Sequence, residues 1–318
     1  MKRRISTLFC LLSLTLIGID QPVHKALADA DAPVAVLTSC RGPVTVIRAG
    51  GKSTSATFGL SLNNGDEVKT GEGAEAEIMF SAGNWVAVGA NSNMRIKGHP
   101  GGTTAAPKEA ESFEVVSNFL KLKSSEGTGS ISGLRSADKA AALLPIAPVQ
   151  TKVRGNNPTF QWKIDDPTAE LSLTVYNESG VQWQSDISNA TALTYPADAP
   201  ALQPGVSYSW TLETTDPLVS PPLRTTAAFF EIIAPADVAS LDTELSAIDA
   251  KKPGPVTYHL MRASLFFDRG LMADAISETE AAVAADPDNG SLHAIMGRLY
   301  AEAGRTTEAM QEMQKSTQ

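Results

Sequence analysis

From Pro253 onward the chain runs twice through the same pattern. Shifting it by 34 residues lays Pro253 on Pro287, His259 on His293, Leu265 on Leu299, Gly270 on Gly304, Ala275 on Ala309 and Glu278 on Glu312. Ala263 also meets Gly297, and Phe266 meets Tyr300. Within each unit Ala, Leu, Glu and Met recur at helical spacing. Small residues stand where helices cross closely: Ala263 and Gly297 in the first helices, Ala275 and Ala309 in the second, with Ala282 near the end of the first unit. Phe266 and Tyr300 fill the space between, Gly270 and Gly304 open the turns, and Pro287 ends a helix. Pro235 to Ala250 reads as one further helix covering the first unit.

These positions resemble tetratricopeptide repeats, with units at 256–289 and 290–318 of a helical domain spanning 235–318. His259 and His293 stand where the family usually has tryptophan, and Arg262 where it has leucine. The resemblance implies stacked helical pairs with a concave, partner-binding face. It places Leu260, Ser264, Phe267 and Asp268 of the first unit on that face, joined by Ala294, Arg298, Ala301 and Glu302. Phe267 and Arg298 are residue types that anchor interfaces. Two units make a short groove, and a neighbouring helix over Phe267 is the competing expectation. No polar capping helix follows the second unit. The last helix is therefore expected to dock on a partner, pair with a second copy, or fray.

At the other end, Lys2, Arg3 and Arg4 precede an apolar run from Ile5 to Ile19 closed by Asp20. That pattern predicts a secretory signal peptide over 1–28, cleaved after Ala28 in Ala26-Leu27-Ala28. The run is short for a spanning helix, which wants about 20 apolar residues, and Cys10 lies too far inside it to begin a lipidated mature chain. The expected location is the periplasm or the cell surface, with no membrane span after cleavage. Without residues 1–28 the charge balance falls to 22 basic against 34 acidic residues, a net charge of about −12. Such a surface excludes nucleic acid as a partner and suits anionic membranes no better. One cysteine, Cys40, remains, so the core must stand without an internal disulfide. A small, buried strand residue is the expected role of Cys40, with intermolecular pairing as the alternative.

Between these ends the pattern is β. Short Val/Ile-rich runs separated by Gly, Asn and Asp fill 35–144, including Val44–Ile47 before Gly50-Gly51, Glu75–Phe80, and Trp85–Val88. Three segments resemble the FecR-like domain of bacterial envelope proteins: Arg41-Gly42-Pro43-Val44, Leu62 to Gly71 through Gly65-Asp66, and Ala76 to Ile96 through Gly83. The family's usual aspartate before the hairpin glycine is Ala82 here. The resemblance implies a small β-sandwich or β-helix-like module. Residues 99–110 read as a loop, Phe113–Lys123 as a further strand, and 137–144 as a short helix or linker. A second module over 146–233 alternates with period two at Phe160-Gln161-Trp162, Leu171–Tyr176 and Val206–Leu212. It resembles a fibronectin type III or immunoglobulin-like domain. The expected fold class is therefore multi-domain β plus α: FecR-like β module, β-sandwich, then tetratricopeptide hairpins.

No arrangement has catalytic spacing. The chain beyond residue 28 holds His99, His259 and His293, without a His-Glu-x-x-His or Cys-x-x-Cys pair, so neither a metal nor another cofactor is expected. Gly50-Gly51-Lys52-Ser53 lacks the first glycine of a phosphate loop, and Gly129–Gly133 lacks a central serine for a nucleophile elbow. Asp165-Asp166 reads as solvated loop carboxylates. The leading expectation is a non-catalytic envelope adaptor that binds a protein or peptide. A FecR-related signalling regulator is the first alternative, weakened because only Met1–Arg4 precede the apolar run. Glycan binding through Trp85 and Trp183 is the second, against a core-packing role for both rings.

Overall fold

Period-two alternation in the first β region becomes two antiparallel sheets. The strands are β1 (Ala35–Arg41), β2 (Val44–Ile47), β3 (Ser53–Ser55), β4 (Ser61–Leu62), β5 (Glu67–Thr70), β6 (Glu75–Phe80), β7 (Trp85–Val88) and β8 (Asn93–Arg95). They are ordered β4-β1-β6-β7 and β3-β2-β5-β8. Leu37, Ala76, Ile78 and Val88 from one sheet share a buried cluster with Val44, Val46 and Val68 from the other, the packing of a small sandwich. The computed structural model describes residues 33–81, 85–97, 107–124, 142–166, 168–216 and 221–317. Several sequence expectations lie outside these residues: the signal segment with its cleavage point, Cys10, the Ala82–Asn84 hairpin, His99, and Gly129–Gly133.

The Gly65-Asp66 turn shows why an aspartate stands there. Asp66 is 2 % exposed. Its carboxylate accepts the backbone N–H groups of Ala49 (3.0 Å) and Asn63 (2.9 Å) and a 2.7 Å bond from Arg48 Nη1. Burial pushes this carboxyl up, but the N–H of Asn63, the Arg48 guanidinium and the N–H of Ala49 outweigh it and hold the group below its ordinary range. One side chain thus ties the β2–β3 turn to the β4–β5 turn.

The second β region forms a sandwich of β9 (Leu143–Ala147), β10 (Thr151–Val153), β11 (Thr159–Ile164), β12 (Leu171–Asn177), β13 (Gly180–Ile187), β14 (Ala192–Thr194), β15 (Ser207–Thr214) and β16 (Ala228–Ile232). Its sheets are ordered β10-β16-β15-β12-β13 and β14-β11-β9. Phe160, Trp162, Leu173, Trp210 and Phe230 fill the space between them. The expected boundary at 144–146 needs correcting. It cuts β9, whose Leu143 and Leu144 pair with Ile164 and Lys163 of β11, so both leucines belong to this sandwich.

A second correction concerns Phe113–Lys123, which is helix and not strand. Helix α1 (Pro107–Leu120) runs into a 3-10 turn at Lys121–Ser124. Phe113, Val115 and Phe119 sit at even spacing and mimic strand alternation. The buried positions are instead Phe113, Val116, Phe119 and Leu120, spaced as one face of a helix. The helical region follows as α2 (Pro235–Lys251), α3 (Pro255–Asp268), α4 (Met272–Ala285), α5 (Gly290–Glu302) and α6 (Thr306–Lys315). The chain is thus a mixed β plus α fold, and Pro33–Gln318 forms one compact unit. Among the described residues no helix is long and apolar enough to cross a membrane.

Candidate interaction surface

The 34-residue shift reappears in the turn bonds and His–Glu pairs of two helical hairpins, α3–α4 and α5–α6. Leu271 N–H donates to Phe266 O, and Arg305 N–H to Tyr300 O, each at 2.8 Å. The turn glycines Gly270 and Gly304 carry φ of +74° and +76°, a left-handed conformation that strains any other residue. His259 Nδ1 lies 2.8 Å from Glu278 Oε2, and His293 Nδ1 lies 2.5 Å from Glu312 Oε2. Each histidine therefore pairs inside its own hairpin. Burial pushes the Glu312 carboxyl up, but hydrogen bonds from Lys315 and His293 prevail and hold it below the usual range. Across the second hairpin, Gly297 admits close approach: an added Cβ would stand 2.9 Å from Met313 Cγ.

The face expected to receive a partner is covered from within the chain. Helix α1 packs along α3, and the 3-10 turn packs against α5. The Phe119 ring, 1 % exposed, meets the half-buried Phe267 edge-on at 5.6 Å. Leu260 (0 %) is in one buried cluster with Phe113, Val116, Phe119 and Leu120 of α1, and with Val36, Phe58 and Met79 of the first sandwich. Ser264 is buried as well, its hydroxyl donating to Met261 O at 2.8 Å. The expectation that Leu260 and Ser264 present accessible side chains is therefore corrected. On α5, Ala301 packs against the same cluster and Ala294 is half-buried. Arg298 Nε bonds Glu302 Oε1 at 2.9 Å on a partly open helix face. Asp268 is exposed beside Arg269, 3.8 Å away. Of the eight positions, Leu260, Ser264 and Phe267 on α3 are covered, Ala294 and Ala301 on α5 are half-buried, and Asp268, Arg298 and Glu302 are the more open ones.

Both sandwiches reach into the hairpins at helix termini, where backbone groups lack intrahelical partners. Helix α3 begins at Gly254-Pro255 and α4 at Leu271, neither with a side-chain cap of its own. Glu77 of β6 supplies the first cap. Its carboxylate accepts the Gly254 N–H at 3.0 Å and a bond from the Thr257 hydroxyl. A Cβ on Gly254 would overlap that carboxylate, so a larger residue there would displace the cap. Thr151 of β10 supplies the second cap, its hydroxyl accepting the Met272 N–H at 2.9 Å. Arg41 Nη2 donates to Ala285 O at 2.8 Å. A carboxylate at a helix start and a guanidinium at a helix end both suit the helix dipole. Replacing Glu77 by alanine is expected to cost about 1–2 kcal/mol; chemical denaturation reads this as a lower midpoint at unchanged slope.

The other features singled out by sequence serve packing or turns. Trp85 donates its indole N–H to Lys251 O at 3.3 Å, at the end of α2. Trp183 packs edge-on against Tyr195 with ring centroids 5.0 Å apart. Cys40 is half-buried in β1; burial and then Asp286 push its thiol up against a smaller opposing effect of Lys123. The Gly50-Gly51 segment is a turn closed by Gly51 N–H to Arg48 O at 2.7 Å. Asp166 accepts the N–H and hydroxyl of Thr168 as an exposed turn. A hollow of ≈ 150 Å³ lies between the second sandwich and the hairpins, lined by Ile146, Val149, Gln161, Met272, Glu280 and Arg305 among others. Glu280 there accepts the Tyr300 hydroxyl, and Arg305 bonds Glu308. Among the described residues no cluster of three or more His, Cys, Asp or Glu side chains could hold a metal ion.

The α1 contact is what sequence reasoning missed. Its signal was present as apolar residues at i, i+3, i+6 and i+7 from Phe113. The inter-module caps left a weaker trace, the absence of Ser, Thr, Asp or Asn before α3 and α4, whereas Asn289 caps α5 through Ser291 N–H.

No family model matches the chain, and no curated protein matches it. Among solved structures it is similar to a chain described as a cell surface anchoring domain. That similarity runs at 24 % identity over 22 % of this chain and 99 % of the other, with a TM-score of 0.20.

Proposed function

We propose that this protein is an exported, non-catalytic adaptor of the bacterial envelope, in which FecR-like and immunoglobulin-like sandwiches hold a pair of tetratricopeptide-type hairpins that dock a protein or peptide. The observation that carries the reading is the repeated hairpin, in which turn glycines, His–Glu pairs and backbone bonds all recur at 34 residues. The apolar run at 5–19 and its Ala26-Leu27-Ala28 end support export. The two sandwiches act as a frame, because they cap and buttress the first hairpin on separate sides. A glycan-binding role through Trp85 and Trp183 gains nothing from the geometry, since both rings are engaged in internal contacts.

A photo-crosslinking side chain at Arg298, on the open side of α5, tests the reading in intact envelopes. A discrete adduct with another protein is expected there, and none from the same probe at Val181, which is 62 % exposed on the second sandwich. Identical products from both positions, or none from Arg298, would contradict it.

A further inference from the structure

Resting on the adaptor reading, we infer that the inner face of the hairpins is a receptor for an amphipathic helix, that residues 113–123 occupy it in cis, and that an outside helix binds by displacing them. The occupant defines the chemistry of the partner. It presents Phe113, Val116, Phe119 and Leu120 along one face, at i, i+3, i+6 and i+7, all 9 % exposed or less. Glu114 and Asn118 on the opposite face are exposed. This is the anchor spacing by which helices enter apolar grooves. The seat is equally specific: Phe267 of α3 takes the Phe119 ring edge-on, and Leu122 in the 3-10 turn packs against the same cluster. One turn beyond Leu120, Lys123 donates to Phe58 O, with its ammonium 5.6 Å from the Phe58 ring centroid. The partner helix therefore carries two aromatic and two aliphatic anchors, with a lysine following the last.

Helix α1 packs along α3 and the 3-10 turn packs against α5, whereas the turn bonds and His–Glu pairs that the two hairpins share are made without any α1 residue. A segment tethered to its own receptor competes at an effective concentration near the millimolar range. The apparent affinity for a free helix is reduced by the small fraction of chains whose groove is open.

The test uses a fluorescein-labelled synthetic peptide of residues 107–124 and fluorescence anisotropy with the purified chain. Wild type is expected to bind the peptide weakly. Val116→Asp, which spoils the cis helix, is expected to bind it on the order of 100-fold more tightly, and Glu114→Lys, on the exposed face, should behave as wild type. If circular dichroism shows that Val116→Asp fails to fold, Phe113→Ala is measured in its place, with a gain of about tenfold expected. A peptide carrying Phe119→Asp should bind none of these chains. Equal affinity for wild type and the folded α1 variants, or no binding to any of them, would overturn the inference. Failure of the adaptor reading looks different: the peptide result would stand while Arg298 yields no adduct.

Discussion

Replacing Phe119 by alanine is expected to lower the stability of the whole unit by about 3–5 kcal/mol, the range for truncating a fully buried aromatic ring. Phe119 is 1 % exposed in a cluster that joins Val36, Phe58 and Met79 of the first sandwich to Leu260, Phe266 and Ile295 of the hairpins. Losing it removes apolar burial from the sandwich and the hairpins together. A typical domain is stable by only about 5–15 kcal/mol, so the effect is a large share of the total. Thermal melts followed by the far-ultraviolet signal and by the indole N–H resonance of Trp85, in the first sandwich, should fall together. If the helical signal melts first while the sandwich signal is unchanged, the two regions do not share a core.

The second large effect is at Asp66. Asp66→Ala leaves the N–H groups of Ala49 and Asn63 and the Arg48 guanidinium without their common acceptor. The expected loss is about 3 kcal/mol. Because the folded carboxyl titrates below its ordinary value of 3.8, its contribution is fully present above about pH 4 and is lost as pH falls through the lower, folded value. Wild type should therefore lose stability on acidification below about pH 4 more steeply than the alanine variant. Parallel acid profiles for the two proteins would show that the turn is not held by the carboxylate.

How much could be read beforehand depended on whether a residue's partner lay nearby in sequence. The hairpins were legible because Gly270, Phe266, Ala275 and Glu278 have counterparts 34 residues on, and the His259–Glu278 pair closes inside its own unit. Strands such as Val44–Ile47, Glu75–Phe80 and Leu171–Asn177 were legible because one face of each is buried. Asp66 marked a turn, but its three-way bonding depends on Arg48 and Ala49 folding back onto it. Helix α1 was misread because Phe113, Val115 and Phe119 satisfy a two-residue period over a short window. Only the buried surface of α3 selects the three-residue one. Glu77, Arg41 and Thr151 gave no local sign of their roles, since each serves a helix more than a hundred residues away. The resemblance placed the candidate face on α3 and α5, yet the covering of α3 was invisible because the covering segment lies in a different part of the sequence.

The most direct test of the covered face is a double-mutant cycle between Phe119 and Phe267, which removes each ring alone and then both. An edge-on pair with centroids 5.6 Å apart predicts a coupling of about 0.5–1.5 kcal/mol. Strictly additive losses, with coupling below about 0.3 kcal/mol, would mean that α1 does not lie against α3.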